Sequence, residues 1–401
     1  MENLSNNTRI YILGYNSFIA KQFYLSCKKI NSNIILLEHN KVEYLKKITS
    51  NDMVINFCGV NRADTYDAYN NGNFLFIKKY IDIIKEKSPF LLHISSLMVC
   101  GFKNQKLEKL SNYKKWFIET KLKGEKYIRD NYDKNKFAIV RPANVFGYSC
   151  KPYYNNLLST IVYEKLNNLK KINNINVNCF QYLIPVHSLC RELLEIIKIK
   201  KHGTFNIISS ELFSLKTVIE TVYHSKIPEY ITFTDGDYSV PDIESKKGEN
   251  IVILDHFKKS VMILEKEMIV YNELTSKIKI NTLKKLSQPR GDMVEISSLE
   301  SKRLYKITLN ENAVRGNHFH FKQVEEFFNN KGSVTYLLAG RYNINVVVVE
   351  HSRENERIKI LPEIIHTVVN DFPDNIPEII ITSTQEFVPN SAPDTEYVNL
   401  L

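Results

Sequence analysis

The histidine pair in Gly316-Asn317-His318-Phe319-His320 constrains the fold of this chain more than any other feature of its sequence. Side chains two residues apart point to the same face of a β-strand, so we expect His318 and His320 to lie side by side. Glu325 follows after a short turn, and we expect it on the next strand of a hairpin. His366 lies much further along the chain. It can join the other three only if the sheet curls back on itself, as in a small barrel.

These four side chains form a predicted metal site. Three imidazoles and one carboxylate suit zinc, iron(II), nickel or manganese, and they leave one or two positions of the ion open, which is typical of a catalytic site. A His-x-His pair alone is more often two histidines without a ligand, so the prediction depends on the whole set. Glu326, directly beside Glu325, is expected on the outward face of its strand. A register slip of one residue would exchange the two carboxylates.

Length and composition limit the possible classes of protein. A chain of 401 residues exceeds what one hydrophobic core normally holds, so we expect two domains. An apolar content of 43% with 24% charged residues is ordinary for a folded protein. The net charge of +10 is spread without dense basic tracts and does not indicate nucleic-acid binding. Because the first residues lack a signal-peptide pattern and no run of about 18 apolar residues occurs, we expect a cytoplasmic protein without membrane insertion. The six scattered cysteines are expected to be free, buried thiols.

Short apolar strands alternate with helices in the first part of the chain, beginning with Arg9–Leu13 and Phe18–Lys28. This alternation predicts a parallel sheet with helices on both faces. Short strands without long helices follow towards the end of the chain, which predicts a second, all-β domain. The change in pattern lies between about residues 270 and 285, and we divide the chain into domains 1–278 and 279–401.

Five segments of the first domain carry motifs. They are Gly14-Tyr-Asn-Ser17-Phe-Ile-Ala20, Asp52–Gly59, Ser95-Ser96, Thr120–Glu125 and Arg141–Gly147. In this order they resemble the coenzyme loop, the following strand, the active-site serine, the lysine helix and the nicotinamide-side segment of extended short-chain dehydrogenases/reductases. The resemblance implies a Rossmann-like, NAD(P)-dependent epimerase/dehydratase-like domain. The implied coenzyme contacts are Gly14, Ser17, Ala20, Gly59, Lys121 and Asn144, and the implied catalytic positions are Ser96, Phe117 and Lys121.

Four segments spread over the whole chain resemble the CapF family of bifunctional capsular polysaccharide enzymes. They are Gly59–Arg62, Lys151–Asn155, Gly316–His320 and Pro393–Thr395. The resemblance implies a reductase domain joined to a cupin domain that binds zinc through the four predicted ligands. It further implies that the cupin epimerises carbon 3 of a UDP-linked 4-keto-6-deoxy-N-acetyl sugar, and that the reductase then reduces carbon 4 with NADPH. A homodimer is expected, because cupin sheets commonly pair and exposed β edges need cover.

The first domain departs from this pattern at its catalytic acid. Reductases of this kind place a tyrosine four residues before the lysine, whereas this chain has Phe117, which has no proton to give. Tyr113 lies one turn further back, about 6 Å along the helix axis, too far to replace it without a shift. Of the three glycines of the coenzyme loop only Gly14 remains, with Ser17 and Ala20 in the other places. The use of NADP(H) therefore stays open.

We predict a nucleotide-sugar epimerase of capsular or surface polysaccharide biosynthesis, with the cupin domain as the epimerase and the reductase activity left open. Two alternatives remain. In the first, both sites work and the protein is a bifunctional epimerase and NADPH-dependent 4-keto reductase. In the second, neither site turns over, and the chain is a metal-dependent protein that binds sugar nucleotides or acts as a scaffold.

Overall fold

The computed structural model describes residues 8–31, 33–103, 110–237, 239–283, 286–288, 291–293, 301–385 and 394–401. It divides into two compact units, Met1–Met268 and Ile269–Leu401. The domain limits 1–278 and 279–401 stay our proposal. Residues 1–7 and Pro393 of the last motif lie outside the described residues.

The first unit is built on a parallel sheet of seven strands. The strands of this unit are β1 (Ile10–Leu13), β2 (Ile34–Leu37), β3 (Met53–Asn56), β4 (Phe90–Ile94), β5 (Phe137–Pro142), β6 (Asn144–Phe146), β7 (Asn174–Asn176), β8 (Phe180–Gln181), β9 (Leu183–Pro185), β10 (Gly203–Ser209), β11 (Phe213–Ser214), β12 (Thr232–Thr234) and β13 (Glu249–Ile253). Across the large sheet the order is β13-β10-β5-β4-β3-β1-β2. Strands β1 to β5 are mainly apolar and buried over their whole length, as expected for strands covered on both faces.

Helices connect these strands, and the predicted alternation is confirmed. In the described residues, the α-helices are α1 (Phe18–Lys28), α2 (Tyr66–Asn70), α3 (Phe76–Ile84), α4 (Asn112–Asn131), α5 (Leu157–Leu166), α6 (Val186–Lys198), α7 (Leu215–Val222) and α8 (Phe257–Lys277). In addition, 3₁₀ helices span His39–Lys47 and Leu97–Cys100, and a π-helix spans Asn71–Leu75. Because β1 lies between β2 and β3, the strand order reverses beside β1. Ligands of open α/β sheets bind at the carboxyl ends of the strands next to such a reversal.

Strand β13 is not among the strands predicted from the sequence. In the structure, Glu249–Ile253 pairs in parallel with β10 at the edge of the sheet. Most of its residues are exposed or only half-buried. An edge strand is hydrogen-bonded on one side only, so it needs few apolar residues and gives a weak sequence signal.

The second unit consists mainly of two antiparallel five-stranded sheets. Its strands are β14 (Lys279–Thr282), β15 (Leu286–Gln288), β16 (Gly291–Met293), β17 (Arg303–Thr308), β18 (Val314–His320), β19 (Glu325–Lys331), β20 (Val334–Gly340), β21 (Asn343–Ser352), β22 (Glu356–Ile360), β23 (Ile364–Val369), β24 (Glu378–Ser383) and β25 (Thr395–Tyr397). One sheet has the order β14-β22-β19-β24-β17 and the other β21-β20-β23-β18-β25. One buried cluster takes side chains from both sheets, among them Phe327 and Ile381 from the first and Leu338 and Val368 from the second. The two sheets therefore enclose a common core, as in a cupin.

The hairpin predicted for His320 and Glu325 is wrong. Strand β18, which carries His320, pairs with β23 and β25, whereas β19, which begins at Glu325, pairs with β22 and β24. In the connection between them, the backbone N–H groups of Lys322 and Gln323 donate to the carboxylate of Asp394. The chain thus passes from one sheet to the other at this point instead of folding back on the same sheet.

Two expectations from composition can be compared with the structure. In the described part of the chain, none of the six cysteines forms a disulfide bond; five of them are buried, and Cys179 is half-buried. Burial of most of these thiols agrees with the prediction. Within the described ranges, every helix is too short or too polar to span a lipid bilayer.

Candidate functional site

Three strands bring the four predicted metal ligands together in the second unit. His318 on β18 and His366 on β23 are direct partners in the antiparallel register. His320 follows on the same face of β18, and Glu325 reaches the group from β19 in the facing sheet. One ligand atom from each of the four side chains lies within 4.8 Å of the others. The group could therefore hold a metal ion.

The imidazole rings are turned so that ring nitrogens face the carboxylate. Oε2 of Glu325 lies 3.4 Å from Nε2 of His320 and 3.3 Å from Nε2 of His366. On the other side of these rings, Nδ1 of His366 lies 3.2 Å from the carbonyl oxygen of Ile364, and Nδ1 of His320 lies 3.0 Å from Oγ1 of Thr395. Contacts at Nδ1 leave Nε2 available to an ion.

Two atoms of the group lack hydrogen-bond partners within the described part of the chain. They are Nδ1 of His318 and Oε2 of Glu325, and both are buried. The second carboxylate oxygen, Oε1, accepts hydrogen bonds from Tyr305 at 3.2 Å and from Gln323 at 2.7 Å. A buried polar atom without a partner is costly, and such atoms often mark an ion site. The donor set and these two unsatisfied atoms fit a divalent transition metal.

The charge states also suit a metal. Burial, with smaller contributions from the neighbouring imidazoles of His366 and His320, lowers the pKa of His318 to about 4. A neutral imidazole is the form that binds metals. Burial alone would raise the pKa of Glu325, but the contacts with His320 and His366 outweigh it and hold this pKa well below its usual range. The group therefore offers a neutral histidine and an ionised carboxylate.

Glu326 lies on the opposite face of β19 from these histidines. It is 1% exposed, and its carboxylate lies 3.7 Å from Arg357 and 3.8 Å from Lys359. Glu326 lies on the face of β19 that we expect, away from the histidines. It is nevertheless buried there, and the charges of Arg357 and Lys359 compensate its carboxylate. The position facing the histidines is taken by Glu325.

A second candidate site is a cavity of about 560 Å³ at the carboxyl ends of the parallel strands in the first unit. Its wall includes the predicted positions Ser17, Gly59, Ser96, Phe117, Lys121 and Asn144. Gly14 and Ala20 are not among the residues that line it. The charged lining residues are Arg62, Lys114 and Lys121, and no carboxylate belongs to the described wall. Tyr153 and Tyr154 add exposed aromatic rings. The cavity is therefore suited to an anionic ligand with a flat or apolar part.

The coenzyme loop keeps one feature of a dinucleotide site and lacks another. Gly14 has a φ of +74°, and a side chain there would come within 2.7 Å of the backbone nitrogen of Cys58, so the tight first turn is present. Ser17 caps helix α1, and its hydroxyl accepts the N–H of Ala20 at 3.3 Å. Free N–H groups at this helix end are what normally bind a pyrophosphate. Here Ser17 engages one of them, and the loop fits a dinucleotide only in part.

Lys121 lies in the cavity wall close to Gly59. Its Nζ donates to the carbonyl oxygen of Ile94 at 3.4 Å, and a Cβ atom on Gly59 would lie 2.6 Å from that Nζ. Burial lowers the pKa of Lys121 to about 8, against smaller opposing contributions from Cys58 and Glu125. The position of this ammonium group therefore depends on a glycine at 59.

Phe117 faces the same cavity but packs into an apolar cluster with Tyr69 and Ile118. Its ring centroid lies 6.0 Å from Nζ of Lys121. Ser96 accepts the N–H of Met98 at 3.2 Å and caps a 3₁₀ helix. Ser96, Lys121 and Phe117 thus line one cavity, but the ring of Phe117 carries no hydroxyl group. The residues do not fit a hydride-transfer site that protonates its substrate.

The sequence analysis does not assign a role to several residues that support the two candidate sites. Gln323 is two residues from Glu325, so its spacing allows contact, but Tyr305 and Thr395 are too distant in sequence for any spacing rule. In the first unit, Ser95 and Arg141 both bond to the buried carboxylate of Glu125, at 2.7 and 2.6 Å. These residues lie within the quoted motifs. The network joins the ends of β4 and β5 to helix α4, beside the cavity.

The fold defines the class: a short-chain-dehydrogenase-like Rossmann unit followed by a cupin-like unit, as predicted. The chain is similar to the capsular polysaccharide assembling protein CapF from Staphylococcus aureus over 98% of this chain and 100% of that one, with 19% identity and a TM-score of 0.45. It is similar to the dTDP-4-dehydrorhamnose reductase of Bacillus anthracis str. Ames, solved in complex with NADP, over 65% and 99% of the two chains, with 14% identity and a TM-score of 0.50. It is also similar to a putative epimerase from Burkholderia cenocepacia J2315 over 65% of this chain and 98% of that one, with 16% identity and a TM-score of 0.50. No protein-family model and no curated protein matches the sequence.

Proposed function

We propose that this chain is a nucleotide-sugar-modifying enzyme of surface-polysaccharide biosynthesis whose second unit carries an epimerase site. The observation that carries the proposal is the convergence of His318, His320, Glu325 and His366 from three strands. The unsatisfied atoms of His318 and Glu325 support a bound divalent ion, and we propose zinc.

The proposed substrate is a UDP-linked 4-keto-6-deoxy-N-acetyl sugar, which is epimerised at carbon 3. The hydrogen on carbon 3 lies next to a ketone, so a positioned base can remove it, and the resulting negative charge gathers on the ketone oxygen. A divalent ion bound at the four ligands supplies a positive charge that stabilises such an oxygen. Tyr305 and Gln323 hold one oxygen of Glu325, which fixes the other towards the histidines.

For the first unit we propose binding of a nucleotide-linked sugar without reduction. Its cavity combines the cations Arg62, Lys114 and Lys121 with the rings of Tyr153 and Tyr154. A diphosphate pairs with the former, and a nucleobase stacks on the latter. The dTDP-4-dehydrorhamnose reductase with the same fold is named for a substrate of this class. Because position 117 lacks a hydroxyl, we derive no hydride transfer in this unit.

Two measurements test the epimerase proposal. Protein purified without chelator should contain close to one transition-metal ion per chain, and His320→Ala should lose most of it. His202→Ala is the control, because His202 is exposed and lies in the first unit. Protein that has never met a chelator and still lacks metal would refute the site.

The second measurement is isotope uptake. Incubation with the UDP-linked 4-keto sugar in heavy water should place deuterium at carbon 3, without any need for NADPH. His320→Ala should abolish this uptake and His202→Ala should not. Absence of uptake by metal-loaded protein would favour the binding or scaffold alternative, whereas NADPH consumption would favour the bifunctional one.

A further inference from the structure

The last strand of the chain, β25, lies directly against the strand that carries two of the proposed metal ligands. Thr395 is the register partner of His320, and Tyr397 is the register partner of His318. The rings of Tyr397 and His318 are 5.6 Å apart in an edge-to-face arrangement. Because side chains alternate along a strand, Glu396 points to the opposite face. Strand β25 thus places the side chains of Thr395 and Tyr397 on the same face of the sheet as His318 and His320.

The contact of Thr395 is the more specific of the two. Its Oγ1 lies 3.0 Å from Nδ1 of His320, while Nε2 of the same ring lies 3.4 Å from Glu325. A neutral imidazole that offers Nε2 to a metal must carry its proton on Nδ1, and the partner of Nδ1 fixes both tautomer and ring orientation. His366 obtains this partner from a backbone carbonyl of its own strand, at Ile364. His320 obtains it from the hydroxyl of a residue 75 positions away.

The neighbour of Thr395 secures this arrangement. The carboxylate of Asp394 accepts the N–H groups of Lys322 at 3.0 Å and Gln323 at 3.1 Å. The carbonyl oxygen of Asp394 accepts the N–H of Phe321, also at 3.0 Å. These three donors belong to the connection between His320 and the strand of Glu325. One short tail segment therefore holds both the ring of a ligand and the backbone that leads to the next ligand.

We propose that Thr395 is a positioning residue of the metal centre, with its hydroxyl holding His320 in the tautomer that presents Nε2 to the ion. Strand β25 then belongs to the proposed metal site and is not only the edge of its sheet. This inference rests on the metal site proposed above. It adds a dependence of metal affinity on a side chain that is not itself a ligand.

The test compares three variants of the full chain in metal-free form. Zinc affinity is measured by competition with a chromophoric chelator for Thr395→Val, Thr395→Ser and Glu396→Gln. Thr395→Val keeps the shape but removes the hydroxyl, and its affinity should fall about 10- to 100-fold, the usual effect of losing an outer-shell partner. Thr395→Ser keeps the hydroxyl, and Glu396→Gln changes the other face of the same strand. Both should stay within about threefold of wild type, well below the loss expected for Thr395→Val.

A second readout separates positioning from general damage. Nitrogen-15 NMR of the zinc-loaded protein should show His320 protonated at Nδ1 in wild type and in Thr395→Ser, and a mixture of forms in Thr395→Val. If the valine variant does not fold, Thr395→Ala replaces it in both measurements.

The outcomes are distinct. Wild type that binds zinc, together with a Thr395→Val variant of equal affinity, would overturn the role of Thr395 and leave the metal site intact. Equal losses in Thr395→Val and Glu396→Gln would overturn it too, because the strand would then act only as structure. Wild type that binds no zinc would overturn the metal site and this inference together.

Discussion

His318 and His366 face each other across two neighbouring antiparallel strands, with their ring centroids 4.4 Å apart. This pairing depends on an irregularity in β18 between Gly316 and His318, where the register shifts. Gly316 has a φ of +94°, and Asn317 has a φ of +57°. Such left-handed conformations favour glycine and asparagine. The two residues before His318 therefore set which residue it faces.

Replacement of Gly316 by alanine should damage the second unit. A Cβ atom at this position would overlap the carbonyl oxygen of His366, and the positive φ strains any side chain. We expect the free energy of unfolding of the metal-free protein to fall by at least about 2 kcal/mol. Zinc affinity should fall as well, because His318 and His366 lose their alignment. Urea unfolding and chelator competition measure the two effects.

Gly340→Ala is the matched control for this change. Strand β23 pairs with β18 on one side and with β20 on the other, and Gly340 is the last residue of β20. A Cβ atom at Gly340 would meet nothing within 4 Å. It should alter neither stability nor zinc affinity appreciably. Similar behaviour of the two alanine variants would contradict the role assigned to the Gly316 turn.

Conversion into glutamine should lower zinc affinity at Glu325 and protein stability at Glu326. Glu325→Gln removes a proposed direct ligand. Outer-shell partners are worth about 10- to 100-fold in metal affinity, so this change should cost at least about 100-fold. Glu326→Gln should leave zinc binding almost unchanged. It should lower the free energy of unfolding by about 1–3 kcal/mol, because Arg357 and Lys359 lose a buried charged partner. A larger zinc effect for Glu326→Gln than for Glu325→Gln would show that the register is shifted by one residue.

The sequence predicts the fold and the four side chains that the structure brings together, but it does not predict how the strands connect them. Strand spacing identifies His318 and His320 as neighbours, because alternation is a local property of one strand. The hairpin to Glu325 fails because the route of the chain between sheets depends on Asp394, which lies far away in sequence. Strand β13 is missed for a related reason. An edge strand is stabilised mainly by its neighbour and shows little pattern of its own.

Lys121 should make the stability of the first unit depend on pH. Its pKa is lowered from 10.5 to about 8 in the folded chain, so between these values the unfolded chain binds more protons than the folded one. Stability must therefore rise with pH over this range, and below it the buried charge is a constant cost. With about 1.4 kcal/mol per pKa unit, that cost is roughly 3 kcal/mol at pH 7 and falls by about 2 kcal/mol by pH 9.5.

The measurement compares wild type with Lys121→Met, so that other titrating groups cancel. The variant should be the more stable one at pH 7, and its advantage should shrink towards pH 9.5. Lys123→Met serves as the control, since Lys123 is exposed on the same helix. A stability difference between wild type and Lys121→Met that does not change with pH would contradict the lowered pKa.

The last prediction concerns Phe117, where one missing oxygen decides whether the first unit can reduce a ketone. Wild type should oxidise little or no NADPH with a 4-keto sugar nucleotide, because no hydroxyl stands at position 117. Phe117→Tyr should restore part of the activity. Proton donation by a positioned acid contributes about 100- to 10,000-fold in rate, or roughly 3 to 5 kcal/mol of barrier. NADPH consumption and the appearance of the carbon 4 alcohol measure the gain.

Restoration should be partial for two structural reasons. The ring of Phe117 is 7% exposed and packs against Tyr69, so a new hydroxyl must find a hydrogen-bond partner in an apolar cluster. Ser17 also caps helix α1 where a coenzyme would need a free N–H. The double variant Phe117→Tyr with Lys121→Met is the control, and it should lose what Phe117→Tyr gains, because the lysine lowers the pKa of the tyrosine in such sites. Strong NADPH-dependent reduction by the unmodified chain would overturn this account. It would also require a proton donor other than residue 117 in the cavity wall, of which the exposed Tyr113 is the first to test.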